Sequence, residues 1–322
     1  MDSKLLICIV LSILVVGTAH CQLSENFYTS SCPGGVALVT QLTRSRVSAD
    51  RTMAPSLLRL HFHDCFVQGC DGSVLLDNPS GQGEKESLGN KGTLRGFDVI
   101  DDIKKQLEAL CPGVISCADI LALVARDAVV AIGGTNWSVP LGRRDGSGSS
   151  ATLANSNLPP PNSNFNALST LFTSKGFTNS ELVTLSGAHT VGVTLCSTIQ
   201  PRLYNFSSTT ATDPAIDPTF AASLKRQCAF GDTTTRIKLD QTTALDTWDQ
   251  NYYSNVLRGK AVFQSDASLR SNGNSLSRVN QLARSGSVFN RDFGNAMVKM
   301  GRIQILTGAQ GQIRKNCRAV NS

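Results

Sequence analysis

Cysteine placement constrains the fold of this chain more than any other feature of its sequence. Ten cysteines occur in 322 residues, and two of them, Cys8 and Cys21, fall in an N-terminal stretch with a logic of its own. Lys4 precedes an apolar run from Leu5 to Val16, and the small residues Gly17, Thr18 and Ala19 follow it. The run is too short to cross a bilayer, while a basic start and small residues before a break are features of a secretory leader. Residues 1–21 are therefore read as a signal peptide cleaved before Gln22, leaving a mature domain over 22–322. The remaining cysteines, at 32, 65, 70, 111, 117, 196, 228 and 317, are an even set on an exported chain, which reads as four disulfides. Such a set allows on the order of a hundred pairings, and the sequence alone does not choose among them. A mature chain of this length buries a sizeable core, in one large domain or two intimate lobes.

The densest chemistry lies in Arg59–Ser73, RLHFHDCFVQGCDGS. Pro55 suits a first helical turn, and Leu57, Leu58, Leu60, Phe62 and Phe66 continue a helix through Phe66. Arg59 and His63 then stand at i and i+4, so a permanent cation and an imidazole project from one face, with Phe62 bordering it and His61 pointing elsewhere. Taken alone, such a pair is usually a solvated Arg beside a chance His. Here Asp64, Asp71 and Ser73 follow, around a short Cys65-to-Cys70 loop that a disulfide could close, with Gly69 and Gly72 beside it. Hard oxygen donors on a tight loop suit calcium, and a metal-pinned loop directly after a His-bearing helix supports a catalytic side chain.

This window resembles the distal side of the class III secretory plant peroxidases, haem enzymes that reduce hydrogen peroxide. The likeness runs from Gln22 to about Cys317. It implies a mainly α fold, the haem peroxidase fold, with one haem b (iron protoporphyrin IX) sandwiched between distal and proximal helical lobes, four disulfides and two calcium sites. The implied pairings are Cys32–Cys111, Cys65–Cys70, Cys117–Cys317 and Cys196–Cys228. His63 would be the general base and Arg59 the stabilising cation, with Phe62 on the haem side. Asn90, in GNKGTLRGF, would accept a hydrogen bond from His63 and fix its tautomer. The distal calcium would take Asp64, Val67, Gly69, Asp71 and Ser73, with Glu84 in its outer shell.

Only His61, His63 and His189 survive in the mature chain, so an iron ligand and a proton carrier must both be found among them. Thr178 to Glu181 forms a capping box, with Phe177 and Leu182 as a hydrophobic staple, so a helix begins there and carries LVTLSGAHTVG. A histidine in such an apolar stripe is usually a core residue bonded to a carbonyl. The likeness of SGAHT to the family's proximal motif instead implies that His189 is the haem-iron ligand. By the same resemblance Asp266 accepts a hydrogen bond from His189. Thr190, Asp240, Thr243 and Asp249 would hold the second calcium. Pro159, first of three prolines, would edge the opening where phenolic donors reach the haem. Two departures stand out: one extra residue between Asp240 and Asp249, near Ala244 and Leu245, and Val193, Thr194 and Leu195 in place of the basic or polar residues frequent before Cys196.

Lys4 and Asp2 cancel, so the mature chain keeps the net charge of +6. The excess is diffuse and suits acidic wall polysaccharide as well as ordinary solubility; nothing in it resembles a nucleic-acid patch. Neither nucleic acid nor membrane is expected as a partner, and the lack of an extended apolar or heptad segment favours a monomer. Asn136-Trp137-Ser138 and Asn205-Phe206-Ser207 are glycosylation sequons. Phe62 stands where intracellular relatives commonly carry Trp, which points to small phenols as donors. The expectation is a secreted, extracellular enzyme of the apoplast or cell wall. It would reduce hydrogen peroxide to water while oxidising phenols by one-electron steps, in lignin or wall-phenol coupling or the response to oxidative stress. A haem carrier without turnover would not need both Arg59 and His63, and a purely structural wall protein would not need two histidines at these positions.

Overall fold

The computed structural model describes residues 23–241 and 246–322; the leader read at 1–21 and Thr243 of the expected second calcium site lie outside the described residues. Helices build the molecule, as the sequence predicts. A first lobe comprises α1 (Gly35–Ala49), α2 (Met53–Val67), α3 (Phe97–Leu110), α4 (Cys117–Ala131) and α5 (Ala151–Asn157). α4 is its centre. Ile120, Leu121, Leu123, Val124, Ala125 and Ala128 are all buried, and a helix apolar on every side belongs inside a core. Ser116 starts it by accepting the Asp119 amide at 3.1 Å. α1, α2 and α3 pack around it. α2 presses Leu57, Leu60 and Phe66 into this core and leaves Arg59 on a half-buried face.

The second lobe runs through α6 (Phe165–Ser174), α7 (Asn179–Ser186), α8 (Cys196–Leu203), α9 (Pro218–Gln227), α10 (Asn251–Leu257), α11 (Gln264–Ser268), α12 (Gly273–Ala283) and α13 (Gly286–Met300). α7 lies against α12 and α13, and α10 packs on α12. α8 and α9 enclose a smaller satellite core of Ile199, Leu203, Phe220, Leu224 and Ile237. A short antiparallel pair beside it, β1 (Val193–Leu195) and β2 (Arg236–Lys238), sets Thr194 opposite Ile237.

Four disulfides lace these parts together. Cys32–Cys111 ties the N-terminal segment to the end of α3, and Cys117–Cys317 joins the start of α4 to the C-terminal tail. Cys65–Cys70 closes the loop after α2, and Cys196–Cys228 clamps α8 to the end of α9. A buried ion pair adds to them: Arg143 Nη1 meets Asp119 Oδ1 at 2.7 Å, and Tyr28 donates to Asp119 Oδ2 at 2.7 Å. Removing one partner would strand a charge in the core, a loss of about 3–5 kcal/mol.

One element departs from expectation. The capping box at Thr178–Glu181 does start α7, but the α-helix ends at Ser186, and Gly187–Thr190 continues as a tighter 3-10 turn that carries His189. The cause is tertiary. The Tyr253 hydroxyl binds the Val183 and Thr184 carbonyls at 3.2 and 3.0 Å, the acceptors that an α-helix would offer to residues 187 and 188. Gly187 permits this approach, because a Cβ there would lie 2.3 Å from that hydroxyl.

Candidate active site

α2 presents its face in register. Pro55, Arg59 and His63 recur every four residues, so all three line one side. His63 Nδ1 lies 2.5 Å from Asn90 Oδ1, and the Asn90 amide nitrogen donates to the Glu84 carbonyl at 2.8 Å. With its NH2 group so engaged, Asn90 can only accept from the imidazole, which places the proton on Nδ1. The other ring nitrogen agrees: Arg59 Nε donates to His63 Nε2 at 3.1 Å. Nε2 is therefore the unprotonated nitrogen, and its lone pair is held by Arg59. Burial first, and the Arg59 charge second, hold the imidazole well below its usual value, so it is a neutral base.

Arg59 is itself fixed. Its Nη1 donates to the Thr93 carbonyl at 3.0 Å, and Nη2 to the Gly89 carbonyl at 2.8 Å and the Thr93 hydroxyl at 3.1 Å. Burial, with a smaller contribution from Arg236, pushes its pKa down to about 10, which leaves it charged at neutral pH. Phe62 borders the pair and packs on Phe66, ring centroids 4.3 Å apart. His61 points into the core beside Cys65 Sγ, and burial pushes it down to about 3.

Beyond α2 lies the oxygen-rich loop. Asp64, Asp71, Ser73 and Glu84 are all buried. Asp64 accepts the Gly72 and Val74 amides at 3.0 and 3.4 Å. Burial, then the neighbouring Asp71 and Glu84 charges, raise its carboxyl well above the usual range, while burial raises Asp71 and lifts Glu84 to about 7. Ser73 Oγ and Glu84 Oε2 have no hydrogen bond of ordinary geometry. Among the described residues no group of three His, Cys, Asp or Glu side chains forms a ready metal cage. A calcium site drawing on carbonyls and a hydroxyl does not require one. Orphaned oxygens among crowded buried carboxylates fit a hard cation. The Val67 carbonyl presently receives Lys175 Nζ at 3.3 Å, and the Gly69 carbonyl receives the Asp71 amide at 2.9 Å.

His189 stands on the far side. Its Nδ1 donates to Asp266 Oδ1 at 2.9 Å, and Asp266 is buried. Nε2 has no hydrogen-bond partner among the described residues, and the side chain is 37% exposed although Ala188 beside it packs on the core. A half-open imidazole with a free nitrogen suits an iron ligand, so the donor set fits a haem. Three residues on, a Cβ at Gly192 would come within 3.1 Å of Pro55 Cβ. The segment just after His189 therefore abuts α2 at Pro55, one turn before Arg59. Pro159 is half-buried, and two residues on the Pro161 carbonyl accepts the Ser265 amide at 2.9 Å, next to Asp266.

Of the expected second calcium set, Thr190 Oγ1 meets Asp249 Oδ1 at 3.2 Å, while Asp240 Oδ1 accepts from Asn255 at 2.9 Å. Asp246, inside the longer loop, adopts a left-handed φ of 56° and takes the Gly192 amide on Oδ1 at 3.1 Å. Asn136 and Asn205 are exposed.

Sequence reasoning missed two residues. Thr93 anchors Arg59 and lies within the quoted GNKGTLRGF, yet a threonine in a turn carries no signal of its own. Tyr252 donates to Asp266 Oδ1 at 2.7 Å, sharing the oxygen that His189 uses. Only the adjacent tyrosines Tyr252 and Tyr253 hinted at an aromatic role.

Comparison with known proteins agrees with this geometry. A family model described as peroxidase matches residues 39–285. The chain is 48% identical to Peroxidase 3 of Arabidopsis thaliana, covering 96% of this chain and 95% of that protein. It is 47% identical to Peroxidase 5 of Vitis vinifera over 94% of this chain and 92% of the relative. It is 45% identical to the lignin-forming anionic peroxidase of Nicotiana sylvestris, with 94% and 92% covered.

Proposed function

The chain belongs to the peroxidase family, among the class III plant enzymes, and from that premise we propose which of its residues carry the reaction and what it oxidises. It is a haem peroxidase, an oxidoreductase that takes hydrogen peroxide as its oxidant. Bound haem b supplies the iron at which the peroxide O–O bond is broken and through which donors give up electrons singly. His189 would hold that group through Nε2, left free because Nδ1–H is given to Asp266. The carboxylate in turn makes the imidazole more electron-rich.

On the other face, His63 Nε2 takes a proton from the incoming peroxide and returns it to the departing oxygen, which leaves as water. Arg59 stabilises the negative charge that develops as the O–O bond stretches, worth about 3 kcal/mol for one oriented donor. Thr93 and Gly89 hold the guanidinium in place before the substrate arrives. Asn90 keeps the proton of His63 on Nδ1. The observation that carries the reading is this Asn90–His63–Arg59 chain, in which two independent hydrogen bonds keep the proton on Nδ1 and leave Nε2 unprotonated, its lone pair accepting from Arg59 Nε until peroxide takes that place.

The donors we assign are small phenols entering beside Pro159, with Phe62 on the haem side. The name of the Nicotiana relative supports lignin or wall-phenol coupling, with a role in oxidative stress alongside it. The leader read at 1–21 supports export to the apoplast or cell wall, where the +6 charge suits acidic polysaccharide. We assign a monomer. One calcium would sit in the Asp64, Val67, Gly69, Asp71 and Ser73 loop with Glu84 behind it. A second would take Thr190, Asp240, Thr243 and Asp249. Asn205 and Asn136 are assigned as glycan acceptors.

An absorption spectrum of the secreted protein tests the whole. A ferric haem band that changes on one equivalent of peroxide and returns with guaiacol is expected. A haem band indifferent to peroxide would remove the Arg59–His63 assignment, and a haem-free protein after reconstitution would remove His189.

A further inference from the structure

Beside the satellite core, against which Tyr204 packs, lies an open depression of about 410 Å³, lined by Ser197, Gln200, Tyr204, Asn205, Phe230 and Thr233 among others. We propose that it seats the first N-acetylglucosamine of a glycan on Asn205, stacked over the exposed ring of Phe230. The inference rests on the reading of Asn205 as a glycan acceptor and goes beyond it.

Phe230 is the argument's first support. Its ring is 69% exposed, yet it is not a loose surface side chain. It meets Tyr204 edge-on with centroids 5.5 Å apart, and Tyr204 is anchored by its hydroxyl to the Cys228 carbonyl at 2.9 Å and by Lys225 Nζ, 5.1 Å from its ring centre. Gln200 pins the turn that carries Phe230. It donates to the Ala229 and Asp232 carbonyls at 3.0 and 2.9 Å and accepts the Gly231 amide at 3.0 Å. Cys196–Cys228 fastens the same turn to α8. An aromatic face held this firmly and left wet is a preorganised contact surface.

The lining chooses the occupant. The rings of Phe230 and Tyr204 stand among the hydroxyls of Ser197 and Thr233. That mixture matches a pyranose, which offers an apolar C–H face and a polar rim, better than the broad apolar patch of a second protein. Tethering decides the rest. Asn205 is exposed, lies in the sequon Asn205-Phe206-Ser207, lines the depression, and has the left-handed φ of 55° that asparagine tolerates. A sugar on that amide is intramolecular with Phe230, so a contact too weak to hold a free sugar suffices to occupy the depression.

The test uses secreted holoenzyme from a glycosylating host, in four forms: wild type, Asn205→Gln, Phe230→Ser and the double variant. Each is also trimmed by an endoglycosidase to one sugar per site. Peptide mass reports whether Asn205 is occupied. Asn205→Gln is expected to lower the melting temperature by about 2 °C more in the wild-type background than in Phe230→Ser, an excess of order 1 kcal/mol in a domain this size, because the backbone strain of Gln at φ 55° falls on both alike. The trimmed wild type should melt with the untrimmed one, because only the first sugar makes contact. An equal drop in both backgrounds, or none in either, overturns the seat while the glycosylation reading stands. An unmodified Asn205 overturns both. Dimerisation of the glycosylated wild type, abolished by Phe230→Ser, would make the ring a protein interface and also overturn it. Self-association that appears only in Asn205→Gln and vanishes in the double variant would support the sugar as the ring's cover.

Discussion

At His63, bonds to opposite ring nitrogens do the same job, because Asn90 can only accept and Arg59 can only donate. Replacing His63 with Ala should leave haem bound and slow the reaction with peroxide on the order of a thousandfold, read by stopped-flow absorption. An unimpaired rate would remove His63 as the base. The pH profile follows from the lowered imidazole pKa. The base is active when neutral, so the rate should stay level from pH 8 to well below 6.5 and fall only where acid finally protonates His63. A fall centred on the ordinary histidine value would contradict this. On the opposite side, Tyr252 and His189 share Asp266 Oδ1. Tyr252→Phe leaves that oxygen to His189 alone, which strengthens the imidazole's donation and stabilises oxidised iron. The haem reduction potential should move negative, on the order of tens of millivolts, with haem content unchanged. An unmoved potential would confine Tyr252 to packing.

Among the elements, α2 is legible from its own residues. Its apolar spacing, the Arg59–His63 interval and the start near Pro55 are local properties with a period of 3.6. The same holds for the start of α7, where Thr178 and Glu181 exchange hydrogen bonds as their types and spacing predict. Its end is not legible, because the hydroxyl that stops it belongs to Tyr253, far along the chain. This makes Gly187 the sensitive position of the His189 turn. A Cβ there would lie 2.3 Å from the Tyr253 hydroxyl and 2.5 Å from the Phe289 ring. Gly187→Ala should destabilise the protein by about 1–3 kcal/mol, as overpacking in a rigid core does. Chemical denaturation measures the loss, and a broadened ferric spectrum would report the shifted His189. A fully neutral effect would mean that Tyr253 moves freely, against its buried setting.

For the molecule as a whole, the disulfides set how far unfolding can spread. Cys117 and Cys317 are 200 residues apart, whereas Cys65 and Cys70 are separated by 5. In a chain-entropy account, opening the first pair should lower stability by roughly 5 kcal/mol and the second by roughly 2 kcal/mol. Denaturation of the paired Ala variants checks the order, and a reversed order would place the main effect in the loop beside Asp64. By itself the sequence determined the number of cross-links and the Arg59–His63 face and, through the motif likeness, the helical class and the pairing of His189 with Asp266. Each of these is written in residue types at short spacing or in a motif long enough to be specific. The tertiary structure alone decided the 3-10 turn under His189, the β1–β2 pair, the anchoring of Arg59 by Thr93 and the sharing of Asp266 with Tyr252. Those depend on side chains that meet only after distant segments pack, and the free energy that selects them comes from burial and hydrogen bonding across the whole core, which no local window contains.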